Sequence, residues 1–492
     1  MSKRSCGFLA GILFFVLILL APLPPGLSAP AKSAGAVALL MAVWWITDAM
    51  PLGMTALLPL VLYPLLSVMK ASETTKHYAD PNVFLLMGGF MIALAMQKWG
   101  LHKRLALHVI CSVGGGLRRM LGGFMLATAF ISMWVSNTAA TMMALPIAIA
   151  VIQELGLGQA GAEDRSGFSI ALMLAIAYAA SIGGAATLVG TPTNMVFAGQ
   201  AKALFPDLPE VGFVKWFILA FPLAFGFLAI AWLYLAFFVV RRALPICVNQ
   251  EAIRKEVKAL GPWSWPEAAV MGVFVATALA WITRENIAIG NFVIPGWTSL
   301  LHLKGVHDGT IAMAAGLLLL LIPGDLKRKE FLLDREWTKK LPWEVILLLG
   351  GGLALAESFQ ATGLASWLGE GFRFLQGMPL LWLLFLLCLL TAFLSELMTN
   401  VAQATIMMPV LAAASQALGI HPYWLMVPVT FACSFAFMMP SGTPPNAIVF
   451  SSGYLTVSRM AKAGFVLNIL GALWITFAMR ALAPLVFGLR AF

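Results

Sequence analysis

Charged residues are scarce in this sequence. Asp, Glu, Lys and Arg together account for 11% of its 492 residues, whereas hydrophobic residues account for 61%. Soluble globular domains carry about 25% charged residues, so a water-soluble fold is excluded. A helix needs about 20 apolar residues to cross a bilayer, and a chain of this length can hold ten or more crossings. The sequence therefore predicts an all-α polytopic membrane protein.

The residues of most catalytic and metal sites are also scarce. The five cysteines and six histidines are scattered, and they have neither the spacing of a metal site nor that of a disulfide framework. No nucleophile–base pair, nucleotide motif or soluble ATP-hydrolysing domain is present, so we expect neither an enzyme nor a resident cofactor. The net charge of +10 is explained by basic cytoplasmic loops, and no nucleic-acid partner is expected.

Eleven apolar segments are candidate membrane spans. They are residues 7–20, 35–48, 52–68, 82–97, 168–204, 214–240, 266–283, 308–323, 343–358, 423–455 and 464–486. With the N-terminus inside, 21 of the 31 Lys and Arg residues fall on the cytoplasmic side, as the positive-inside rule requires. We therefore expect a multi-pass protein of the cell (inner or plasma) membrane with a cytoplasmic N-terminus.

The first segment has two interpretations. Lys3-Arg4, the apolar residues 7–20 and the small residues 28–31 together resemble a secretory signal. The many later spans favour a retained first helix, and cleavage is the alternative.

Two further apolar runs are each interrupted by a short polar triplet. Ser136-Asn137-Thr138 lies within residues 121–155, and Thr399-Asn400-Val401 lies within residues 380–418. The stretches that lead into them, TAFISMWVSN and TAFLSELMTN, are identical at five of ten positions. The arms beside each triplet are about 15 residues long, about 22 Å as helix, which is too short for a hydrocarbon core of about 30 Å. Each run is therefore predicted to be a re-entrant hairpin with its triplet at the tip.

Two of the spans contain the sequence Gly-Thr-Pro. Gly190-Thr191-Pro192 interrupts residues 168–204, and Gly442-Thr443-Pro444 interrupts residues 423–455. Glycine permits unusual dihedrals, while proline removes a donor and clashes with the preceding turn, so both spans are predicted to be broken helices. The free N–H groups that begin a half-helix favour an anion. The carbonyl groups that end the preceding half-helix favour a hard cation.

The paired motifs divide the chain into two related halves. Residues 35–243 are predicted to form the first repeat and residues 266–492 the second. Residues 1–34 form an N-terminal helix and loop, and residues 244–265 form a cytoplasmic linker with an amphipathic surface helix. Five crossings in each half is an odd number, so the two repeats are predicted to be inverted. Inverted repeats with broken helices are typical of alternating-access secondary transporters.

The segments that carry the triplets and breaks lack positive charge. No Lys or Arg occurs in residues 121–164, 166–201 or 376–458. A site built from these segments offers hydroxyl, amide and carbonyl oxygens, which suit Na⁺ and discriminate against soft metals. A bound anion would need helix N-termini and co-bound cations to offset its charge. This requirement gives a physical reason for coupling cation and anion transport.

The paired triplets and paired Gly-Thr-Pro breaks, in this order over nearly the whole chain, resemble the divalent anion/sodium symporter family. The resemblance implies about eleven transmembrane helices plus two hairpins, with a scaffold, an elevator-type transport domain and a homodimer. It implies sodium-coupled symport of small divalent anions, with C4-dicarboxylates such as succinate, malate or fumarate as the expected substrates. A dicarboxylate exchanger, a sulfate or citrate symporter and, in a different class, an anion channel remain alternatives.

The resemblance also implies site residues. The residues expected to hold sodium are Ser132, Ser136, Asn137 and Gly190 in the first repeat and Ser395, Thr399, Asn400 and Gly442 in the second. The residues expected at the substrate are Asn137, Thr138, Asn400, Val401, Thr443 and Pro444. At the second tip Thr399 keeps the hydroxyl of the family's serine, whereas Val401 replaces a threonine and loses one. We therefore expect Val401 to influence substrate selectivity.

One acidic residue lies beside the second tip. Glu396 is predicted to be buried, because the residues around it are apolar. It has two interpretations: a carrier of a proton or cation, and a structural acid whose oxygens accept hydrogen bonds from the protein.

Overall fold

The computed structural model describes residues 3–113, 116–155, 166–240, 251–289, 292–303, 305–325 and 330–489. Within these ranges the chain is almost entirely helical. The helices of the first half are α1 Lys3–Leu20, α2 Ala29–Thr47, α3 Leu52–Thr55, α4 Leu58–Leu65, α5 Ala71–Lys76, α6 Pro81–Lys98, α7 Leu101–Val113, α8 Leu117–Ser132, α9 Asn137–Glu154, α10 Ser166–Gly184, α11 Pro192–Leu204 and α12 Phe213–Tyr234. A π-helical turn, Leu235–Val239, continues α12.

The second half repeats much of this order. Its helices are α13 Glu251–Ala259, α14 Trp265–Ile282, α15 Trp297–Leu300, α16 Asp308–Leu321, α17 Trp337–Lys340, α18 Trp343–Thr362, α19 Leu364–Glu370, α20 Leu380–Leu394, α21 Asn400–Leu418, α22 Tyr423–Ser434, α23 Pro444–Phe450 and α24 Val457–Phe487. Single 3₁₀ turns, His77–Ala79 and Arg373–Leu375, lie in loops. The predicted fold class is confirmed, and every predicted span falls on a helix or a helix pair.

Four short strands were not expected. Strand β1, Ile287–Ile289, pairs antiparallel with β2, Phe292–Ile294, with Ile287 opposite Ile294. Strand β3, Pro323–Asp325, pairs antiparallel with β4, Glu330–Phe331. Both pairs connect helices of the second half. Three residues or fewer per strand are too few to produce a periodic signal in the sequence.

Among the described residues, eight helices are long and apolar enough to cross a membrane by length and composition. Other apolar helices are shorter, including Leu52–Leu65 and Asp308–Leu321. One of the eight is α21, the second arm of the second hairpin, at 19 residues. The expectation that all hairpin arms are near 15 residues is therefore wrong for this arm and for α9, which has 18. Each arm continues past its internal proline, Pro146 or Pro409, instead of ending there.

Helix α10 is the most enclosed of the eight membrane-length helices that the structure describes. Of its membrane-length window, Gly167–Gly184, 94% is buried inside the protein. It packs against α8 and α9 of the first hairpin, against α12 and against α23 of the second half. A helix that is hydrophobic on all sides is stable only where other helices surround it. The first break, which follows α10 directly, is therefore held at the centre of the molecule.

The start of the second half is anchored by a buried ion pair. Arg104 of α7 donates to both carboxylate oxygens of Glu267 at 2.9 and 3.1 Å. The same guanidinium donates to the backbone carbonyl groups of Leu260, Gly261 and Pro262. Buried charges are tolerated when all their donors are used in this way. The predicted linker therefore ends in a fixed position, and α13 is its helix; residues 241–250 lie outside the described part of the chain.

A second group of charges joins the two halves. Glu210, in the loop between α11 and α12, lies 2.5 Å from His307 Nε2 at the start of α16. Asp308 lies 2.6 Å from the Arg284 side chain and accepts the N–H of Phe213 at 2.8 Å. Charged groups of the first and second repeats therefore meet at one end of the helices.

The protonation of this group follows from its contacts. Burial lowers the pKa of His307, but the hydrogen bond and charge of Glu210 outweigh burial, and the pKa of His307 is raised. The hydrogen bond from His307 in turn lowers the pKa of Glu210. The raised pKa of His307 stabilises the folded protein fully at pH values below the pKa of histidine in the unfolded chain. This stabilisation is lost as the pH rises through the raised pKa of His307. The lowered pKa of Glu210 stabilises the folded protein fully at pH values above the pKa of glutamate in the unfolded chain. This stabilisation is lost as the pH falls through the lowered pKa of Glu210. The pair is thus fully stabilising between about pH 4.5 and 6.5.

We expect the His307–Glu210 pair to make stability fall on the alkaline side. Raising the pH from 6 to 9 should destabilise the wild-type protein more than the His307→Gln variant, because only the wild type loses a charged partner for Glu210. Thermal unfolding of detergent-purified protein measures the difference. The exposed neighbour His302, replaced in His302→Asn, provides the control. Parallel pH profiles of wild type and His307→Gln would contradict the expectation.

Candidate functional site

The first hairpin turns between α8 and α9 at the predicted tip. The hydroxyl of Ser136 caps α9 by accepting the N–H of Ala139 at 3.3 Å. The hydroxyl of Ser132 lies 2.7 Å from both Asn137 Oδ1 and the carbonyl oxygen of Ala180. A hydroxyl has one proton, so one of these two short oxygen–oxygen contacts has no hydrogen between its atoms. The tip is rich in oxygen and short of donors, an arrangement that a small hard cation stabilises.

The first helix break brings backbone carbonyl groups to this tip. A β-carbon added at Gly190 would lie 2.4 Å from the carbonyl oxygen of Gly184 and 3.0 Å from those of Ser132 and Met133. Only glycine fits beside three oxygen atoms at these distances. The hydroxyl of Thr187 donates to the Met133 carbonyl oxygen at 2.5 Å and accepts the Gly190 N–H at 3.0 Å. The four residues predicted to hold the first sodium therefore lie on two elements that touch.

The second hairpin has the same course but different hydrogen bonds. The hydroxyl of Ser395 lies 2.5 Å from Gln403 Oε1 and 3.1 Å from the carbonyl oxygens of Thr391 and Cys433. This hydroxyl also has more oxygen neighbours than protons, so the second site shares the donor shortage of the first. Gln403 provides the amide oxygen that Asn137 provides in the first repeat. Gln403 stands where the first repeat has Ala140, and comparing the repeats at that position is the signal that could have found it.

Two residues of the second tip that are predicted to hold sodium therefore make fewer hydrogen bonds to the protein. Thr399 is exposed, and its hydroxyl does not cap α21. The Oδ1 atom of Asn400 is buried and accepts no hydrogen bond from any residue that the structure describes. A buried acceptor without a partner is costly unless a ligand supplies the missing contact. Asn400 is therefore available to an ion or a substrate.

Glu396 has four hydrogen-bond donors around its carboxylate. Its Oε1 accepts the backbone N–H groups of Phe437 at 2.8 Å and Met438 at 2.9 Å, and the side-chain amide of Asn468 at 3.0 Å. Its Oε2 accepts the N–H of Met439 at 2.9 Å. Hydrogen bonds from three consecutive backbone groups stabilise the charged form of a carboxylate. The contacts support the structural interpretation of Glu396.

The carboxylate of Glu396 replaces helical hydrogen bonds at the second break. In the first repeat, Met133 stands at the position of Glu396. At the first break, the backbone N–H groups of Ala185 and Ala186 keep their hydrogen bonds to carbonyl groups three residues earlier. The chain after α22 has no helical turn at residues 435–437. A β-carbon added at Gly442 would lie 2.7 Å from Glu396 Oε2. The residues predicted to hold the second sodium thus lie beside a buried acidic side chain, whereas Met133 occupies that position in the first repeat.

An asparagine closes each break in the same way. Asn194 donates to the carbonyl oxygens of Gly184 at 3.3 Å and Thr187 at 2.7 Å. Asn446, the equivalent residue of the second repeat, donates to those of Ala436 at 3.1 Å and Met439 at 3.0 Å. The Oδ1 atoms of both asparagines are buried and lack a donor within the described residues. The repeated sequences GTPTN and GTPPN contain these residues, but the sequence of the breaks alone does not specify which carbonyl groups they bind.

The two halves interlock at the breaks. Arm α9 of the first hairpin packs against α23 of the second break, and arm α21 of the second hairpin packs against α11 of the first. The hydroxyls of Thr193 and Ser434 lie 3.0 Å apart, and Tyr178 donates to the carbonyl oxygen of Phe437 at 2.9 Å. Both tips and both breaks therefore belong to one packed unit, as the sequence predicts for a single site.

The residues predicted at the substrate have different exposures. Asn137, Thr138, Asn400 and Val401 are half-buried, Pro444 is exposed and Thr443 is buried. The hydroxyl of Thr443 is used as a cap, because it accepts the N–H of Asn446 at 3.4 Å. The hydroxyl of Thr138 makes no hydrogen bond to any described residue and is free to bind a ligand. Val401 packs against apolar residues of two core clusters.

The chemistry of the whole region is that of hard oxygen ligands. Among the described residues, no three His, Cys, Asp or Glu side chains converge on a position for a metal ion. The donors near the tips are backbone N–H groups, amides and hydroxyls, and the nearby acid is already bonded. Such a region can hold an alkali cation and, beside it, an anion.

A known family matches nearly the whole chain. A family model described as the sodium:sulfate symporter transmembrane region matches residues 2–487. The chain belongs to this family. The resemblance inferred from the paired motifs is thereby confirmed.

Relatives of this sodium:sulfate symporter family member include two named transporters. The chain is 41% identical over 488 residues to the sodium-dependent dicarboxylate transporter SdcS of Staphylococcus saprophyticus, covering 98% of this chain and 92% of that protein. It is 39% identical over 493 residues to SdcS of Staphylococcus aureus (strain MRSA252), covering 99% and 93%.

Two solved structures have a similar fold. Neisseria gonorrhoeae MtrF, described with a class of antimetabolite efflux pumps, gives a TM-score of 0.59 at 13% identity, covering 96% of this chain and 94% of that one. The Alcanivorax borkumensis YdaH transporter gives 0.57 at 15% identity, covering 98% of each chain. At these identities the likeness establishes the fold alone.

We expect the Glu396 carboxylate to be required for the second break. Glu396→Gln replaces one carboxylate oxygen by an amide NH₂ that cannot accept, so at least one of the N–H groups that Glu396 binds loses its acceptor, which costs about 1–3 kcal/mol of unfolding free energy. Unfolding of the purified variant in detergent measures this. The exposed acid Glu370, changed in Glu370→Gln, is the matched control. Equal stability of the two variants would show that the contacts to Glu396 contribute little.

Proposed function

We propose that this protein is a secondary active transporter that couples sodium to the symport of small divalent anions, with C4-dicarboxylates as substrates. The observation that carries the proposal is the donor shortage at both tips, where Ser132 and Ser395 each face more oxygen acceptors than one proton can serve. Sodium ions would supply the missing positive charge. The names of the SdcS relatives support both the ion and the substrate class.

The coupling follows from electrostatics. The tips and breaks have no Lys or Arg, so a dianion has only helix N-termini, amides and hydroxyls to bind. Sodium at Ser132, Asn137 and Gly190, and at Ser395, Asn400 and Gly442, would offset its charge. The free Thr138 hydroxyl and the unpartnered Asn400 Oδ1 are available between ion and substrate. Substrate binding then requires the cations first, since a dianion alone would be expensive to bury.

The proposal includes the transport mechanism and assembly. Both tips and both breaks move as one unit in this scheme, carrying ions and substrate past a scaffold in an elevator motion, with the N-terminus in the cytoplasm and two copies forming a dimer. The packing of α9 on α23 and of α21 on α11 supports a single moving unit. Because the family description names sulfate, a sulfate symporter is the second candidate for the substrate.

We expect sodium-dependent succinate uptake by the purified protein in proteoliposomes. Asn137→Ala should abolish it, because the variant loses the amide oxygen at the first sodium and the contact with Ser132. Radiolabelled uptake with an inward sodium gradient, compared with potassium or lithium, measures the effect. Ser112→Ala, an exposed change on α7, is the control and should keep full uptake. Full uptake without sodium, or in Asn137→Ala, would refute the proposal.

We expect Val401 to affect selectivity. Val401→Thr is nearly isosteric and adds a hydroxyl to the second tip, which should change the ratio of succinate to sulfate or citrate uptake about threefold to tenfold, the effect of one net hydrogen bond. Competition against labelled succinate measures the ratio. Val275→Thr, on an exposed part of α14, is the matched control. An unchanged ratio in Val401→Thr would exclude this role for the residue.

A further inference from the structure

A groove on the outer surface of the first hairpin is separate from the tips and breaks. It lies between α8 and α12, has a volume of about 270 Å³ and is lined mainly by apolar side chains. Two helical stripes form its walls. Gly122, Met125 and Leu126 line it from α8, and Phe225 and Leu228 line it from α12. With Arg119 and Trp232, which also line it, each stripe spans eight residues, so the groove runs for about 12 Å along the helices.

The groove exists because one wall has no side chain. A β-carbon added at Gly122 would lie 3.1 Å from Trp232 Nε1 on the opposite helix. The indole of Trp232 is fixed, since its N–H donates to the carbonyl oxygen of Arg118 at 3.0 Å. Leu126 beside it is 40% exposed. An open apolar groove in a membrane protein faces hydrocarbon chains.

One end of the groove is basic. Arg119 lines it and is exposed, and no acidic side chain of the described residues pairs with it. Arg118 is held by the protein, because its Nε donates to the carbonyl oxygen of Ala236 and its guanidinium lies 4.3 Å from the centre of the Phe237 ring. Within the described part of the chain, Arg119 is therefore the arginine left free at this end.

Aromatic residues indicate how deep the basic end of the groove lies in the bilayer. Trp232 lies at the groove, and Phe237 and Phe238 are 49% and 69% exposed on the next turn. Exposed aromatic side chains beside arginines are typical of the headgroup level of a bilayer. The groove thus leads from that level into the hydrocarbon layer, with its cation at the surface. The positive-inside count assigns this end to the cytoplasmic leaflet.

We propose that the groove binds an anionic phospholipid of this leaflet, with its phosphate on Arg119 and an acyl chain between Gly122 and Phe225. Arginine binds phosphate oxygens through two parallel N–H groups, and basic pockets between helices on the cytoplasmic side suit anionic headgroups. The lipid would bridge α8 and α12. Since α8 ends at Ser132, the bound lipid would stabilise the arm that supports the first tip.

The test measures lipid binding to delipidated protein in detergent. Phosphatidylglycerol and phosphatidylcholine with identical acyl chains are titrated while apparent unfolding temperature is followed, because a ligand of the folded state raises it. Phosphatidylglycerol should stabilise the wild type more than phosphatidylcholine. Arg119→Gln should weaken the phosphatidylglycerol effect about fivefold in concentration, as expected for one arginine at a membrane surface, and Arg119→Lys should restore part of it. Native mass spectrometry should count one fewer tightly bound phosphatidylglycerol in Arg119→Gln.

Two further variants separate a groove from a charged surface. Gly122→Leu fills the groove and should remove the effect of both lipids, while Arg335→Gln, at an exposed arginine in the loop before α17, should leave it unchanged. Equal stabilisation by phosphatidylcholine would mean that the occupant is not selected by charge. An unchanged response in Arg119→Gln, or an equal loss in Arg335→Gln, would overturn the proposal. If the Gly122→Leu variant does not fold, Arg119→Gln still tests the proposal, because it changes an exposed side chain.

Discussion

Unwound backbone in the interior of a membrane protein must be hydrogen-bonded by the protein itself, because the bilayer offers no water. This constraint governs the two helix breaks. The amides of Asn194 and Asn446 bind carbonyl groups in both breaks, and the carboxylate of Glu396 binds three N–H groups in the second. These side chains pair backbone groups that the breaks leave without helical partners, and the oxygen-rich tips lie beside the breaks.

The two halves meet the constraint with different residues. In the first, the chain before the break stays nearly helical, and the Thr187 hydroxyl bridges Met133 and Gly190. In the second, more of the chain unwinds, and the carboxylate oxygens of Glu396 accept the hydrogen bonds that the helix has lost. The residues predicted to hold the second cation therefore lie beside a buried acid that has no counterpart at Met133 in the first repeat.

The sequence predicted the hairpins and breaks because each depends on a local pattern that occurs twice. It predicted arms of about 15 residues beside each triplet, whereas α9 has 18 and α21 has 19. The short strands were missed because they have too few residues for a pattern. The partners of Glu396 lie more than 40 residues away in the sequence, and no local pattern could identify them. Gln403 was missed because it has no counterpart in the first triplet.

Gln403 explains why the second tip differs from the first. It takes the contact with Ser395 that Asn137 makes with Ser132, and so leaves Asn400 Oδ1 without a donor among the described residues. The first asparagine is therefore hydrogen-bonded within its hairpin, and the Oδ1 of the second is free for a ligand. Beside that free amide stands Val401, which adds no hydroxyl of its own. Within the described part of the chain, the first tip thus offers the Thr138 hydroxyl as its unpaired polar group, whereas the second offers the Asn400 amide oxygen next to an apolar side chain, and this difference is the physical basis for expecting the two tips to contact a ligand differently.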